Sequence, residues 1–212
     1  MDYQTATKKA SASFEEKRSE FIGDISPVES EAQALEFIAN IKALNPQARH
    51  IVYAYIVRDN NIVRYSDAGE PSGTGGQPVL GVLQKEGLTD VCVTVTRYFG
   101  GILLGAGGLT RAYARAAKIA LDASGKSLMK FCHEYDVTCA YPMYQKLLSA
   151  LERADCRIGN ASFSDTVTFS VSAAPDDMPE ILEIIREISG DKAKAVKSGE
   201  KYIKFDIKKE DF

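Results

Sequence analysis

The chain has 212 residues, 45% hydrophobic and 26% charged, with 26 Lys and Arg against 29 Asp and Glu for a formal net charge of −3. That length allows one large domain or two modest ones, and the composition is that of a globular protein rather than a disordered or fibrous one. The mild acidity excludes attachment to polyanions through bulk charge. Residues 1–126 hold fourteen basic and fourteen acidic residues and the remainder carries the whole excess, so any cationic surface has to be local.

From the N-terminus, a small, polar stretch over residues 1–13 precedes Phe14–Ile25, which reads as a strand or hairpin. Ser30 is a suitable N-cap for a helix with Ala34, Leu35, Phe37, Ile38 and Ile41 on its inner side, ending before Asn45-Pro46. His50–Val57 is a strand, Asp59-Asn60-Asn61 a turn, and Ile62–Tyr65 pairs back as a hairpin. His50, at the strand start, reads as a packed or capping residue.

Two unusual loops follow. Ser66–Pro78 is dense in turn-formers and carries Asp67 and Glu70 beside Pro71, Ser72 and Thr74, before a helix built on Val79, Leu80, Val82 and Leu83. The carboxylates serve either as acceptors for exposed backbone N–H groups or as contact groups for a ligand. The β-branched run Val91–Thr96 then reads as a buried strand leading through Arg97, Tyr98 and Phe99 into glycines at 100, 101, 105, 107 and 108.

The helix after those glycines places Leu109, Ala112, Tyr113, Ala116 and Ala120 on one face. Arg111, Arg115 and Lys118 fall on the other, within an arc of roughly 60°. No acid lies between Val91 and Lys118. Glycines before a helix N-terminus suit an anion, since free N–H groups and the macrodipole point there. Arg97, Tyr98, Gly105, Gly107, Gly108, Arg111, Arg115 and Lys118 are therefore candidates for anion or nucleic-acid contact.

Ala123–Lys126 reads as a helix stop and domain boundary, dividing residues 1–126 from 127–212. Beyond it come a strand over Phe131–Ala140, a helix begun by Tyr141-Pro142 with Leu147, Leu148 and Leu151 inward, and a hairpin around Ser164-Asp165. A helix over Pro179–Ser189 and a strand over Lys194–Ile207 complete the order. That order, βαββαβ, predicts a ferredoxin-like α+β domain, with no catalytic constellation in it.

The four cysteines form no CxxC and read as buried free thiols. With His50 and His133 they match no zinc-ligand spacing, so neither metal nor cofactor is expected. No signal peptide, long apolar span or lipidation motif is evident, which predicts a cytoplasmic protein without membrane contact.

The combination Asp67…Gly69-Glu70-Pro71-Ser72-Gly73-Thr74…Gly76 followed by Val95-Thr96-Arg97-Tyr98-Phe99-Gly100-Gly101…Leu104-Gly105-Ala106-Gly107-Gly108-Leu109…Arg111-Ala112-Tyr113 resembles the IMPACT family, in its bacterial, YigZ-like branch. Arg18-Ser19-Glu20-Phe21-Ile22 and Ala48-Arg49-His50…Ala54-Tyr55 fit the same pattern. Ala68 stands where the family usually has a second Asp, Gly75 where Ala is commoner and Leu103 where Lys is frequent. Nothing that depends on a doubled carboxylate or a loop lysine is therefore carried over.

The resemblance implies a first domain with the two-layered αβ sandwich shared by a ribosomal protein domain and the fourth domain of the translocating elongation factor, joined to the ferredoxin-like domain. Eukaryotic relatives regulate translation by binding an activator of the amino-acid-starvation kinase. For bacterial members, nucleic-acid or ribosome binding is the usual proposal.

Three functions follow. The first is a non-enzymatic module that touches RNA or the ribosome through Arg111, Arg115 and Lys118, with Tyr98 or Phe99 stacking on an unpaired base. The second is a protein-partner adaptor. The third is an enzyme on a phosphorylated small molecule, using Asp67 and Glu70 as acid and base; against it, Gly100–Arg111 lacks the lysine–hydroxyl pair of a P-loop. The first is the preferred expectation, with oligomeric state left open.

Overall fold

The computed structural model describes residues 2–206, which divide into two compact units, Tyr3–Leu128 and Met129–Phe205, the second including Asp2. In the N-terminal unit the strands are β1 (Tyr3–Ala6), β2 (Ala10–Glu16), β3 (Ser19–Pro27), β4 (His50–Val57), β5 (Ile62–Ser66) and β6 (Val91–Tyr98). The helices are α1 (Glu31–Leu44), α2 (Gly76–Lys85) and α3 (Ala106–Ser124). An antiparallel sheet runs in the order β2-β3-β6-β4-β5.

The central strand β6 is buried on both faces from Val91 to Arg97, which is why it reads as a continuous β-branched run rather than an alternating one. Val91, Val93 and Val95 pack with Phe21, Ile25, Val52 and Ala54 under α2 and α3. The sheet and this helix pair are the two layers expected, and α1 adds a partial third. On the opposite face Cys92, Tyr55 and Val57 meet Ala34 and Ile38 of α1, a partial cover over the other side of the sheet.

The caps behave as their sequences predict. Ser30 Oγ accepts from the Gln33 N–H at 3.3 Å, and α1 stops at Asn45, whose side chain donates to the Ile41 carbonyl. α3 ends at Ser124, followed by Gly125 at φ 74°. Leu35, expected on the inner side of α1, is 50% exposed; the buried stripe is the narrower one of Ala34, Ile38 and Ile41, because α1 touches the sheet along one line.

The small, polar stretch before Phe14 holds β1 and the start of β2. As the edge strand of the sheet, β2 leaves every second residue exposed, so short Ser and Ala side chains suffice and its period is faint in the sequence. The β2–β3 hairpin pairs Glu16 with Ser19 across a two-residue turn, Lys17-Arg18, with both residues at positive φ (48° and 64°). Asn-Gly is the usual solution for such a turn.

The C-terminal unit contains β7 (Lys126–Cys139, whose first residues lie before the unit boundary), α4 (Tyr141–Leu151), β8 (Arg157–Phe163), β9 (Val167–Ala173), α5 (Met178–Ser189) and β10 (Lys194–Asp206). β9 lies antiparallel between β7 and β8, and β10 joins β7, giving the strand order of a ferredoxin-like βαββαβ unit. Leu147, Leu151, Ile181 and Ile185 of the two helices pack on Val137, Val167, Phe169 and Val171. Ile207, placed in the last strand from sequence, lies outside the described residues.

All four cysteines are buried free thiols. Burial pushes the Cys156 thiol up to about 11 and raises the other three. Among the described residues no helix is long and apolar enough to cross a membrane.

Candidate nucleic-acid interface

One end of the N-terminal sheet gathers the β2–β3 turn, the end of β6, the start of β4 and the end of β5. The register that sets this is Glu20↔Tyr98 and His50↔Arg97. Both unusual loops leave from this end, and their connection is a buried three-residue lock. Glu70 Oε1 accepts from Arg97 at 2.6 Å and from the Tyr113 hydroxyl at 2.7 Å, joining the first loop, the end of β6 and the middle of α3. Arg97 and Glu70 side chains are 7% and 4% exposed. The Arg97 guanidinium also lies 5.6 Å from the Phe21 ring centre and 5.4 Å from that of Phe99. Burial, then the bond to Glu70, pushes the Tyr113 hydroxyl far up, so it remains a donor.

Asp67 has a separate task. Its carboxylate accepts from the backbone N–H groups of Gly73 at 2.8 Å, Gly75 at 2.9 Å and Gly76 at 2.8 Å. It thereby supplies from eight and nine residues upstream the cap that Gly75 lacks at the start of α2. Burial alone would raise this carboxyl, but the three N–H donors hold it below its ordinary value of 3.8. Thr74 is buried and donates to the Pro71 carbonyl at 2.7 Å, while Pro71 and Ser72 are exposed. The two acids considered as an acid–base pair are thus both engaged in building the loop. His50 packs as expected, with Nδ1 2.9 Å from the Ala68 carbonyl oxygen.

The start of α3 contrasts with that of α2. Gly105, at φ 74°, is its N-cap; among the described residues no side chain caps the helix, and no acid lies in its first turn. Gly105 and Gly107 are exposed and Gly108 half-buried. Arg111 is exposed and, among the described residues, enters no ion pair. Arg115 is half-exposed, 4.1 Å over the Phe14 ring centre and 4.0 Å from Glu16.

Three of the sequence candidates change standing. Arg97 is an internal brace whose anion is Glu70. Lys118 is held by Asp122 at 2.9 Å and Glu86 at 3.0 Å, contacts that raise its pKa in that order, so it is not an open cation of the stripe. Tyr98 is half-buried and donates to Asn45 Oδ1 at 2.8 Å, whereas Phe99 is 52% exposed. The reason is the strand period: Tyr98 falls on the α1 side of β6, and Phe99 has already left the sheet.

Replacing those losses are two cations that periodicity did not single out. Lys17 and Arg18 at the hairpin tip are exposed and, among the described residues, enter no ion pair. Arg18 is brought to the second loop by Gly100, where a Cβ would sit 1.8 Å from the Arg18 carbonyl oxygen; the Gly100 N–H donates to Ser19 Oγ at 3.1 Å. The basic hairpin tip beside an aromatic-flanked turn was the available signal. Lys17, Arg111 and Arg115 line one cavity of about 220 Å³, floored by Phe14, Leu104 and Ala112 and bordered by Glu16.

Residues 17–121 match the Impact N-terminal domain, and residues 137–192 a domain of unknown function (DUF1949). The IMPACT family member YvyE of Bacillus subtilis is 36% identical over 188 residues, covering 87% of this chain and 85% of its own. The IMPACT family member YigZ of Escherichia coli is 32% identical over 159 residues, covering 74% and 78%. A crystal structure of a hypothetical protein superposes with a TM-score of 0.60 at 27% identity, over 93% of this chain and 98% of that one.

Proposed function

The chain belongs to the IMPACT family, and from that membership we propose that its N-terminal unit is a non-enzymatic RNA-binding surface with a translation-related role in the cytoplasm. The observation that carries the reading is the concentration, at one sheet end, of cations that enter no ion pair among the described residues. Lys17, Arg18 and Arg111 stand there, with Arg115 beside them, around the uncapped amides of α3 and the exposed Phe99 ring. Cations and first-turn N–H groups meet phosphate oxygens, and such contacts position a polyanion without reading its sequence. Of the neighbouring acids, Asp67 faces backbone donors and Glu70 faces Arg97, while Glu16 offsets part of the charge beside Arg115.

Binding of a structured RNA, and co-sedimentation with ribosomes, tests this at several salt concentrations. Three or four phosphate contacts give a slope of log K against log salt of roughly −2 to −4. Lys17→Ala/Arg18→Ala/Arg111→Ala is expected to bring the slope toward zero while the protein stays folded. Absence of salt-sensitive binding in the unsubstituted protein would sink the reading.

A second reading rests on Leu103 and Ile102, which are 80% and 40% exposed on the same loop. Apolar side chains at a loop tip suit a protein partner better than a phosphate backbone. A partner retained on the protein after nuclease treatment, and lost in Leu103→Asp, favours an adaptor.

A further inference from the structure

Within the RNA-binding reading, on which this step rests, we infer that the cavity between α3 and the β2–β3 hairpin takes a single unstacked nucleotide, so that the surface selects bulged or single-stranded RNA over regular duplex. Its volume, about 220 Å³, lies below the roughly 300–1,000 Å³ of pockets that enclose drug-sized ligands, which limits the occupant to one small unit of a larger chain.

The walls divide by chemistry. Lys17 and Arg111 are cations without an ion-pair partner among the described residues, suited to the phosphate that precedes or follows an extruded base. The planar group is Arg115. Its guanidinium lies 4.1 Å over the Phe14 ring centre, and Phe14 is stacked on Phe21 at 5.4 Å with 10° between the rings. Phe21 in turn meets Tyr113 edge-on at 5.4 Å, inside the core. These contacts tie Arg115 to a chain of rings that reaches the core, and a guanidinium held there offers a surface for stacking a base. Glu16, the one acid among the described residues that line the cavity, repels a phosphate and accepts from N–H groups at the edge of a base. A paired base has its faces stacked and its Watson–Crick edge occupied, so a duplex meets the cations but offers no base to the cavity.

The test compares a fully paired RNA hairpin with the same hairpin carrying one bulged nucleotide, using the full chain. Fluorescence anisotropy is expected to show a preference of roughly tenfold for the bulged hairpin, the size of one stacking contact with a cation–π contribution from Arg. 2-Aminopurine at the bulge is expected to change its emission on binding. Arg115→Lys keeps the charge and loses the plane, so the preference falls while the salt slope is kept. Phe14→Leu removes the layer beneath and has the same effect; because Arg115 is exposed, the first variant stays informative even if the second misfolds. Equal affinity for the two hairpins, or a preference untouched by Arg115→Lys, overturns the pocket and leaves the phosphate surface standing. Failure to bind either hairpin overturns the RNA reading itself.

Discussion

Glu70 and Asp67 illustrate how two acids three residues apart acquire unrelated jobs. Glu70 shares a nearly dry site with Arg97 and Tyr113, so removing its charge leaves a buried guanidinium without its counter-ion. Glu70→Gln is expected to cost about 3–5 kcal/mol in urea denaturation, and adding Arg97→Met to recover part of that loss, because an apolar replacement has no charge to strand. Asp67 gives the fold a dependence on acid. Its folded pKa lies below the ordinary 3.8, so its contribution is complete above that value and is lost as pH falls through the folded pKa. The stability difference between the unsubstituted protein and Asp67→Asn should therefore be present at neutral pH and shrink below about pH 4 in acid titrations followed by circular dichroism.

Among the elements, the glycines divide into those that hold two backbones together and those that merely begin a helix. A Cβ at Gly23 would lie 2.3 Å from the Ala116 carbonyl oxygen, where β3 passes under α3. Gly23→Ala has to push the helix off the sheet, at a cost of about 1–3 kcal/mol in thermal or urea melts. At Gly107 the nearest atom to a new Cβ is an Arg111 terminal nitrogen at 3.5 Å, an ordinary contact. Gly107→Ala is expected to leave stability unchanged or raise it by up to about 1 kcal/mol in the same melts, since alanine favours the helix. Sequence reading weighted the clustered glycines after β6; the closest helix–strand crossing is made by an isolated one in β3, and only the tertiary approach of α3 distinguishes it.

For the whole molecule, the two units have separate apolar cores, one under α2 and α3 and one under α4 and α5. Leu147→Ala, a fully buried position in the second core, is expected to cost about 2–5 kcal/mol, read as faster hydrogen exchange across Met129–Phe205. The same variant is expected to keep the salt slope of RNA binding, because every residue of the proposed surface lies in Tyr3–Leu128. A changed slope would assign part of the binding to the C-terminal unit.

The order of helices and strands from Phe14 onward, the Ser30 and Gly125 caps, the βαββαβ run and the paired family motifs were legible in the amino-acid sequence, because each is written in residues close together along the chain. The sequence also located the two loops on which the candidate site is built. It left open which cations stay free. Arg97 is neutralised by Glu70, 27 positions away, and Lys118 is held in part by Glu86 on another element, while Lys17 and Arg18 reach the site through a hairpin that Gly100 allows to dock. Helical periodicity assigns a side chain to a face but carries no information about the charge packed opposite it. That pairing depends on how separate elements fold together, and it reduced the expected basic stripe to a cluster around the start of α3.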